Sequence, residues 1–343
     1  MSARYEALAT KARAMYGRRL RAADLTRISR LDSVQAVLAE LSQQPAWEQA
    51  VRPLAGGTLV TRARLEDALR GQVRREGLRL AAFLPQEDWA LMDFPVLRSE
   101  LERILAALRR LYASLYRETE ELPRAYVSRA RVDLEGLRRC ADYNGLVEAT
   151  QGSIFHDALS RLRAGDALPD YGGTEALLWS VYYRYILNLI ARRYAGDTRR
   201  LLEQSMGGQV DMLNIMHILR MKQFFPGQDD YLPVLLPYHY RVRPEQIRAM
   251  CAAPTPQGVL DLVEDTPYAA VFRGAAPEEL HTRYGEALYR LSRRQLRMGK
   301  PSVYTAVAYL NLRELELRAV VSAVEAVKYR QELDPALLGF FDD

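Results

Sequence analysis

The stretch NLRELELRAVVSAVEAVKYR, Asn311 to Arg330, decides the fold class. Leu317, Val320, Val321, Val324 and Val327 recur at intervals of three and four residues, which puts them on one side of a helix. The other side carries charge. Glu314 stands four residues before Arg318 and Glu325 three before Lys328; such pairs stabilise a solvated helix surface by about 0.2–0.5 kcal/mol each. An amphipathic helix follows. The same pattern runs through Leu65 to Phe83, Leu97 to Leu115, Thr174 to Leu202 and Asp211 to Phe224, and no run alternates with the two-residue period of a strand. The fold class expected is all-α.

Helices should break at Pro53 to Gly57, Leu168 to Gly173 and Met206 to Gln209, and most heavily from Phe225 to Pro244, where proline, glycine and aromatic residues cluster. Tyr231, Tyr238 and Tyr240 are expected to pin that last loop to the body.

At 343 residues the chain exceeds what one hydrophobic core usually organises. Its 49% hydrophobic and 27% charged residues are those of a globular protein. The most apolar stretch, Ala176 to Ile190, is interrupted by Ser180, Arg184 and Asn188 and falls short of the roughly 20 residues a membrane span needs. Met1 to Leu20 is charged throughout, without the apolar segment of a secretory signal. A cytoplasmic location is therefore expected. Cys140 and Cys251 lack CxxC spacing and read as small core residues. The net charge of +5 is spread along helices among nearly as many acids, so it reads as solvated surface before nucleic-acid binding.

Three segments can be laid over one another: LAELSQQPAW (Leu38 to Trp47), NGLVEATQGSIF (Asn144 to Phe155) and LDLVEDTPYAAVF (Leu260 to Phe272). After each comes a helix opening with an acid, Ala and Leu, at Asp67, Glu175 and Glu286. A third element follows in the same order: DFPVLRSELERIL from Asp93, DMLNIMHILRMK from Asp211 and ELRAVVSAVEAVK from Glu316. Three related helical repeat units are expected, over 1–120, 121–230 and 231–343, the last ending in the amphipathic helix. Units that leave an apolar face uncovered must pack on neighbours, which suggests a pseudo-threefold body with a central hollow.

Catalytic patterns are missing. Met298 to Ser302 lacks the leading glycine of a phosphate loop and has Pro301 where the metal-binding hydroxyl belongs. His156, His217, His239 and His281 are scattered, with no HExxH and no cysteine pair. His217 reads as a core group. No GxSxG or GxGxxG occurs, and Asp229-Asp230 and Asp342-Asp343 do not extend into DDxxD. No catalytic, cofactor-binding or metal site is expected, and no small-molecule substrate. Asp211, after Gly207-Gly208, is placed to cap its own helix at about 1 kcal/mol, with a partner contact as the rival role.

Asp211 to Ile215, continuing through Ile218 to Lys222, resembles the D-x-x-N-l-x-x-i-l-R helix of the C subunit of the A/V-type rotary ATPases, which corresponds to the d subunit of the eukaryotic V-ATPase. Val259 to Tyr268 is similar to the family's second signature. Val307 to Arg318, with Tyr309-Leu310 and Glu314-Leu315-Glu316, is similar to its terminal helix, and Tyr5 to Met15 to its opening. The likeness spans the chain. Pro95-Val96 departs from Leu213-Asn214 of the second unit, and no Pro-Tyr follows Thr150.

The resemblance implies a three-part funnel and a non-catalytic rotor part. Such a part would sit peripherally on the cytoplasmic face of the membrane, between the central shaft subunits and the membrane proteolipid ring. It would couple ATP turnover to proton or sodium transport. Asp93, Asp211 and Glu316, which the repeat reading makes equivalent, with Arg220 and Arg313, are the expected partner contacts. A helical-repeat scaffold of an unrelated assembly, a basic nucleic-acid-binding helical protein and a helical enzyme are the alternatives.

Overall fold

The computed structural model describes residues 2–54, 60–113, 130–165, 167–225, 231, 235–276, 279–339 and 341. These form helices and connecting turns, with no strand beyond one isolated bridge between Ala164 and Ala167. The order of the helices repeats. Three short helices, Ala22–Ser29, Val34–Ser42 and Glu48–Val51, precede two long ones, Arg62–Ala81 and Phe94–Tyr112. Leu134–Arg139, Tyr143–Ala149 and His156–Arg161 then precede Tyr171–Arg193 and Gly196–Phe224. Pro244–Ala252, Pro256–Val263 and Ala269–Phe272 precede Leu280–Met298 and Val303–Tyr329. The three overlaid sequence segments fall at the same place in each set, running from the second short helix towards the third. The middle short helix starts each time from a side-chain cap: Ser33 accepts from Ala36 N–H, Asp142 from Gly145 N–H and Thr255 from Gly258 N–H.

The chain divides into two compact units, one of residues 1–92 with 282–343, the other of residues 93–281. In the first, the Val303–Tyr329 helix lies against Arg62–Ala81, Ser2–Tyr16 and Ala22–Ser29. Its first turns, Val303 to Arg313, are buried on every side. The charged face expected from the sequence is therefore narrow: Glu314, Arg318 and Glu325 are half-buried, while Arg313 and Glu316 lie wholly inside. In the second unit, Tyr171–Arg193 packs on Phe94–Tyr112 and on Gly196–Phe224, which carries Pro256–Val263 and Pro244–Ala252 on its flank.

One expected break is displaced. The chain turns at Tyr194 and Ala195 and then stays helical from Gly196 to Phe224, straight through Gly207-Gly208. Gly207 is there for close approach: a Cβ on it would fall 2.8 Å from both Cβ and Cγ of Tyr240. Tyr240 thus does pin the loop that follows. So does Tyr231, which is buried with the Lys222 ammonium 4.4 Å from its ring centre. Cys140 and Cys251 are half-buried free thiols, and His217 is half-buried, so none of the three is the core residue expected. Asp229, Asp230, Asp342 and Asp343, and the expected break at Gly56 and Gly57, lie outside the described residues.

Among the described residues no helix is long and apolar enough to cross a membrane. No group of three or more His, Cys, Asp or Glu among them could hold a metal ion.

Candidate functional site

The five residues singled out in the sequence fall in three different environments. Arg313 and Glu316 stand one helical turn apart on Val303–Tyr329, in the core of the first unit. The Arg313 guanidinium donates from Nε to Glu76 Oε2 at 2.8 Å and from Nη2 to the Ala46 carbonyl at 3.1 Å, and its Nη1 lies 2.7 Å from Glu316 Oε2. Its Cζ stands 3.9 Å above the centre of the Trp47 ring. Glu76, from Arg62–Ala81, also accepts from Tyr309 Oη at 2.8 Å and Gln72 Nε2 at 3.0 Å. Glu316 Oε1 accepts from Leu20 N–H at 3.0 Å and Trp47 Nε1 at 2.9 Å.

Burial by itself would lower the Arg313 pKa, but Glu316 and Glu76 outweigh it and hold the value above the ordinary one. The Tyr309 hydroxyl is pushed up by burial and by Glu76, against the pull of Arg313. A charged group with every partner inside the fold is a structural keystone: removing one member would leave the others charged and dry.

Asp211 lies in the second unit, fully buried past the middle of Gly196–Phe224, and so does not cap that helix. The amides of its own helix are already bonded within it. Its carboxylate accepts instead from three successive N–H groups of the loop ahead of Pro244–Ala252: Tyr240 at 2.9 Å, Arg241 at 2.7 Å and Val242 at 3.1 Å. A fourth bond comes from the Tyr268 hydroxyl at 2.8 Å. Asn214, one turn on, exchanges two bonds with the Leu236 backbone, at 2.8 and 2.9 Å. Asp211 and Asn214 thus fasten the chain between residues 236 and 242. Burial, then the Asp211 charge, raises the Tyr268 pKa.

Asp93 is half-buried at the position before Phe94–Tyr112, but its side chain makes no capping bond; it lies 3.9 Å from Arg131. Proline in the first turn removes one of the amides a cap would satisfy. Arg220 is exposed on Gly196–Phe224, one turn before the exposed side chains of Phe224 and Phe225.

Arg313 and Glu316 thus share one buried network in the first unit, and Asp211 has its own in the second. Sequence reading missed three buried acids among the described residues. Glu76 is one, and Asp88, which accepts from the Tyr5 hydroxyl at 2.7 Å, is another. Glu100 is the third: it lies on Phe94–Tyr112 and accepts from Arg131 N–H at 2.6 Å. The signal that identifies Glu100 is the apolar register after it, rather than closeness to the start of the helix. Burial pushes its carboxyl above the usual range, against the pull of the Arg131 amide and charge and of the Val132 amide.

A family profile described as ATP synthase (C/AC39) subunit matches residues 8–334. The chain is 24% identical over 300 residues to the C subunit of the A-type ATP synthase of Methanosphaera stadtmanae, an alignment that covers 82% of this chain and 76% of that protein. It is 26% identical over 219 residues to the C subunit of the A-type ATP synthase of Methanobrevibacter smithii, covering 59% of this chain and 54% of that protein.

Proposed function

The chain belongs to the ATP synthase (C/AC39) subunit family, and on that premise we propose that it is a non-catalytic central-stalk subunit of an A/V-type rotary ATPase. The observation that carries the reading is the family match over residues 8–334, nearly the whole chain. In this role the protein couples the rotating shaft of the soluble sector to the membrane proteolipid ring, so that torque links ATP turnover to proton or sodium movement. It works peripherally, on the cytoplasmic side.

The part asks for a stiff body with two faces and for no nucleophile or cofactor. Three helix sets in the same order support a reading as three related units, over 1–120, 121–230 and 231–343, disposed pseudo-threefold as a funnel. Within it Asp211, Arg313 and Glu316 serve as internal supports, since each is buried and bonded inside the chain. Direct contact with a partner falls to the more exposed Arg220 and Asp93. Arginine beside aromatic side chains suits the centre of a protein interface, and Arg220 has Phe224 and Phe225 beside it.

The test is affinity capture of the tagged full chain from detergent-solubilised host membranes. Shaft and proteolipid subunits are expected in the eluate at fixed stoichiometry. A chain that elutes alone, or with nucleic acid released steeply by salt, would overturn the reading.

A further inference from the structure

Glu100, Asp211 and Glu316 do the same work at three places. Each stands on the second long helix of a set, is buried, and accepts from the backbone of a segment leading into three short helices. Glu100 takes Arg131 N–H ahead of Leu134–Arg139; Asp211 takes Tyr240, Arg241 and Val242 N–H ahead of Pro244–Ala252; Glu316 takes Leu20 N–H ahead of Ala22–Ser29. The buried residues that follow keep one register: Ile104 and Leu108 after Glu100, Ile215 and Leu219 after Asp211, Val320 and Val324 after Glu316. Glu100 therefore occupies the place expected for Asp93.

Two of the three carboxylates have a further donor, and it comes from corresponding residues. Trp47 immediately precedes Glu48–Val51 and donates from its indole Nε1 to Glu316; Tyr268 immediately precedes Ala269–Phe272 and donates from its hydroxyl to Asp211. The residue immediately before His156–Arg161 is Phe155. The turns match as well: Phe155 N–H donates to Ser153 Oγ and Tyr268 N–H to Thr266 Oγ1, each at 3.2 Å. Phe155 is fully buried and has no polar atom on its side chain. The Val132 amide also favours the Glu100 charge, and among the described residues Glu100 Oε2 is a buried oxygen with no hydrogen-bond partner.

We infer that Glu100, Asp211 and Glu316 are one carboxylate clasp used three times, fastening a long helix to the chain that enters a short-helix set, and that Phe155 leaves the Glu100 clasp one donor short. The raised pKa of Glu100 agrees with that shortage. The charges acting on the group are Arg131, from the loop it holds, and Asp93, from the start of its own helix. The Glu316 clasp has a special position: it ties the last long helix to the first short set, residues far apart in sequence that close on each other within the first unit. Of the three, the Glu100 clasp opens most readily, because its buried carboxylate is the least compensated.

The test is a pair of substitutions in the full chain, read by melting temperature and by hydrogen exchange at single amides. Phe155→Tyr is expected to raise the melting temperature and slow exchange at the Arg131 amide. In a Glu100→Gln background the gain should vanish, because a shared bond makes the two changes non-additive. An equal fall in melting temperature in both backgrounds, as for a buried hydroxyl with nothing to bond, would overturn the assignment. Tyr268→Phe is an independent check at a clasp whose donor is visible. It should speed exchange at the Arg241 amide, and unchanged protection there would contradict the shared device.

Discussion

Arg313 Nε lies 2.8 Å from Glu76 Oε2, joining the Val303–Tyr329 helix to Arg62–Ala81 through an ion pair that neither residue exposes. Glu316, Tyr309, Trp47 and the Ala46 carbonyl complete the shell around it. Arg313→Met keeps the bulk but leaves Glu76 and Glu316 buried without their shared cation, held only by neutral donors. The expected cost is about 3–5 kcal/mol, read from a denaturant titration of the full chain. A midpoint within error of the native one would show that the network is not supporting the fold.

Arg220 gives the contrasting outcome. It is exposed, so Arg220→Glu should change stability by no more than about 0.5 kcal/mol. Its effect should appear in co-purification with shaft subunits. A folded Arg220→Glu protein that still brings down the shaft in native amounts would remove this residue from the interface.

Val320 is fully buried on Val303–Tyr329, the helix whose apolar stripe is plainest in the sequence. Val320→Asp places a carboxylate among apolar neighbours without a partner and should cost several kcal/mol, at least about 3. Thermal unfolding measures it directly, and an unchanged melt would mean the valine stripe faces water.

Gly207→Ala tests close approach. Mid-helix, alanine is ordinarily better than glycine by about 1 kcal/mol. Here the new methyl would meet the near end of the Tyr240 side chain at 2.8 Å, which cannot swing away as a tip could. Destabilisation of about 1–3 kcal/mol is expected, and it should largely disappear in a Tyr240→Gly background, which removes both contacting atoms. A stabilised single variant would show that the ring yields freely.

Glu100 sets a pH dependence with a definite sign. Its folded pKa is raised above the ordinary 4.5, so the folded chain holds that proton more tightly than the unfolded chain does. The associated stability is complete below the ordinary carboxylate range and is lost as pH rises through the raised folded value. Glu100→Gln should flatten this part of the stability profile, measured by denaturation at a series of pH values. An identical profile in the variant would assign the slope to another group.

The helices were legible because an apolar face repeats every three or four residues whatever lies opposite it, as Val320, Val324 and Val327 do. Which face meets water was less so. Arg313 and Glu316 look like surface charges in one dimension, and only Glu76, Trp47 and Leu20, all far away in sequence, make them interior. Gly207-Gly208 read as a helix break because local propensity knows nothing of Tyr240. Glu100 was passed over for Asp93 for a related reason. The acid nearest the helix start is the conspicuous one, whereas the one that holds the loop is fixed by the amide it faces across the fold, Arg131 N–H.

The central claim is that this chain couples the soluble motor to the membrane ring. The most direct measurement compares ATP-driven ion uptake with ATP hydrolysis in vesicles carrying the holoenzyme, before and after selective depletion of this chain and again after adding it back. Hydrolysis by the soluble sector should persist throughout, while uptake disappears on depletion and returns with the purified protein. Uptake that stays at its original ratio to hydrolysis without the chain would contradict the account.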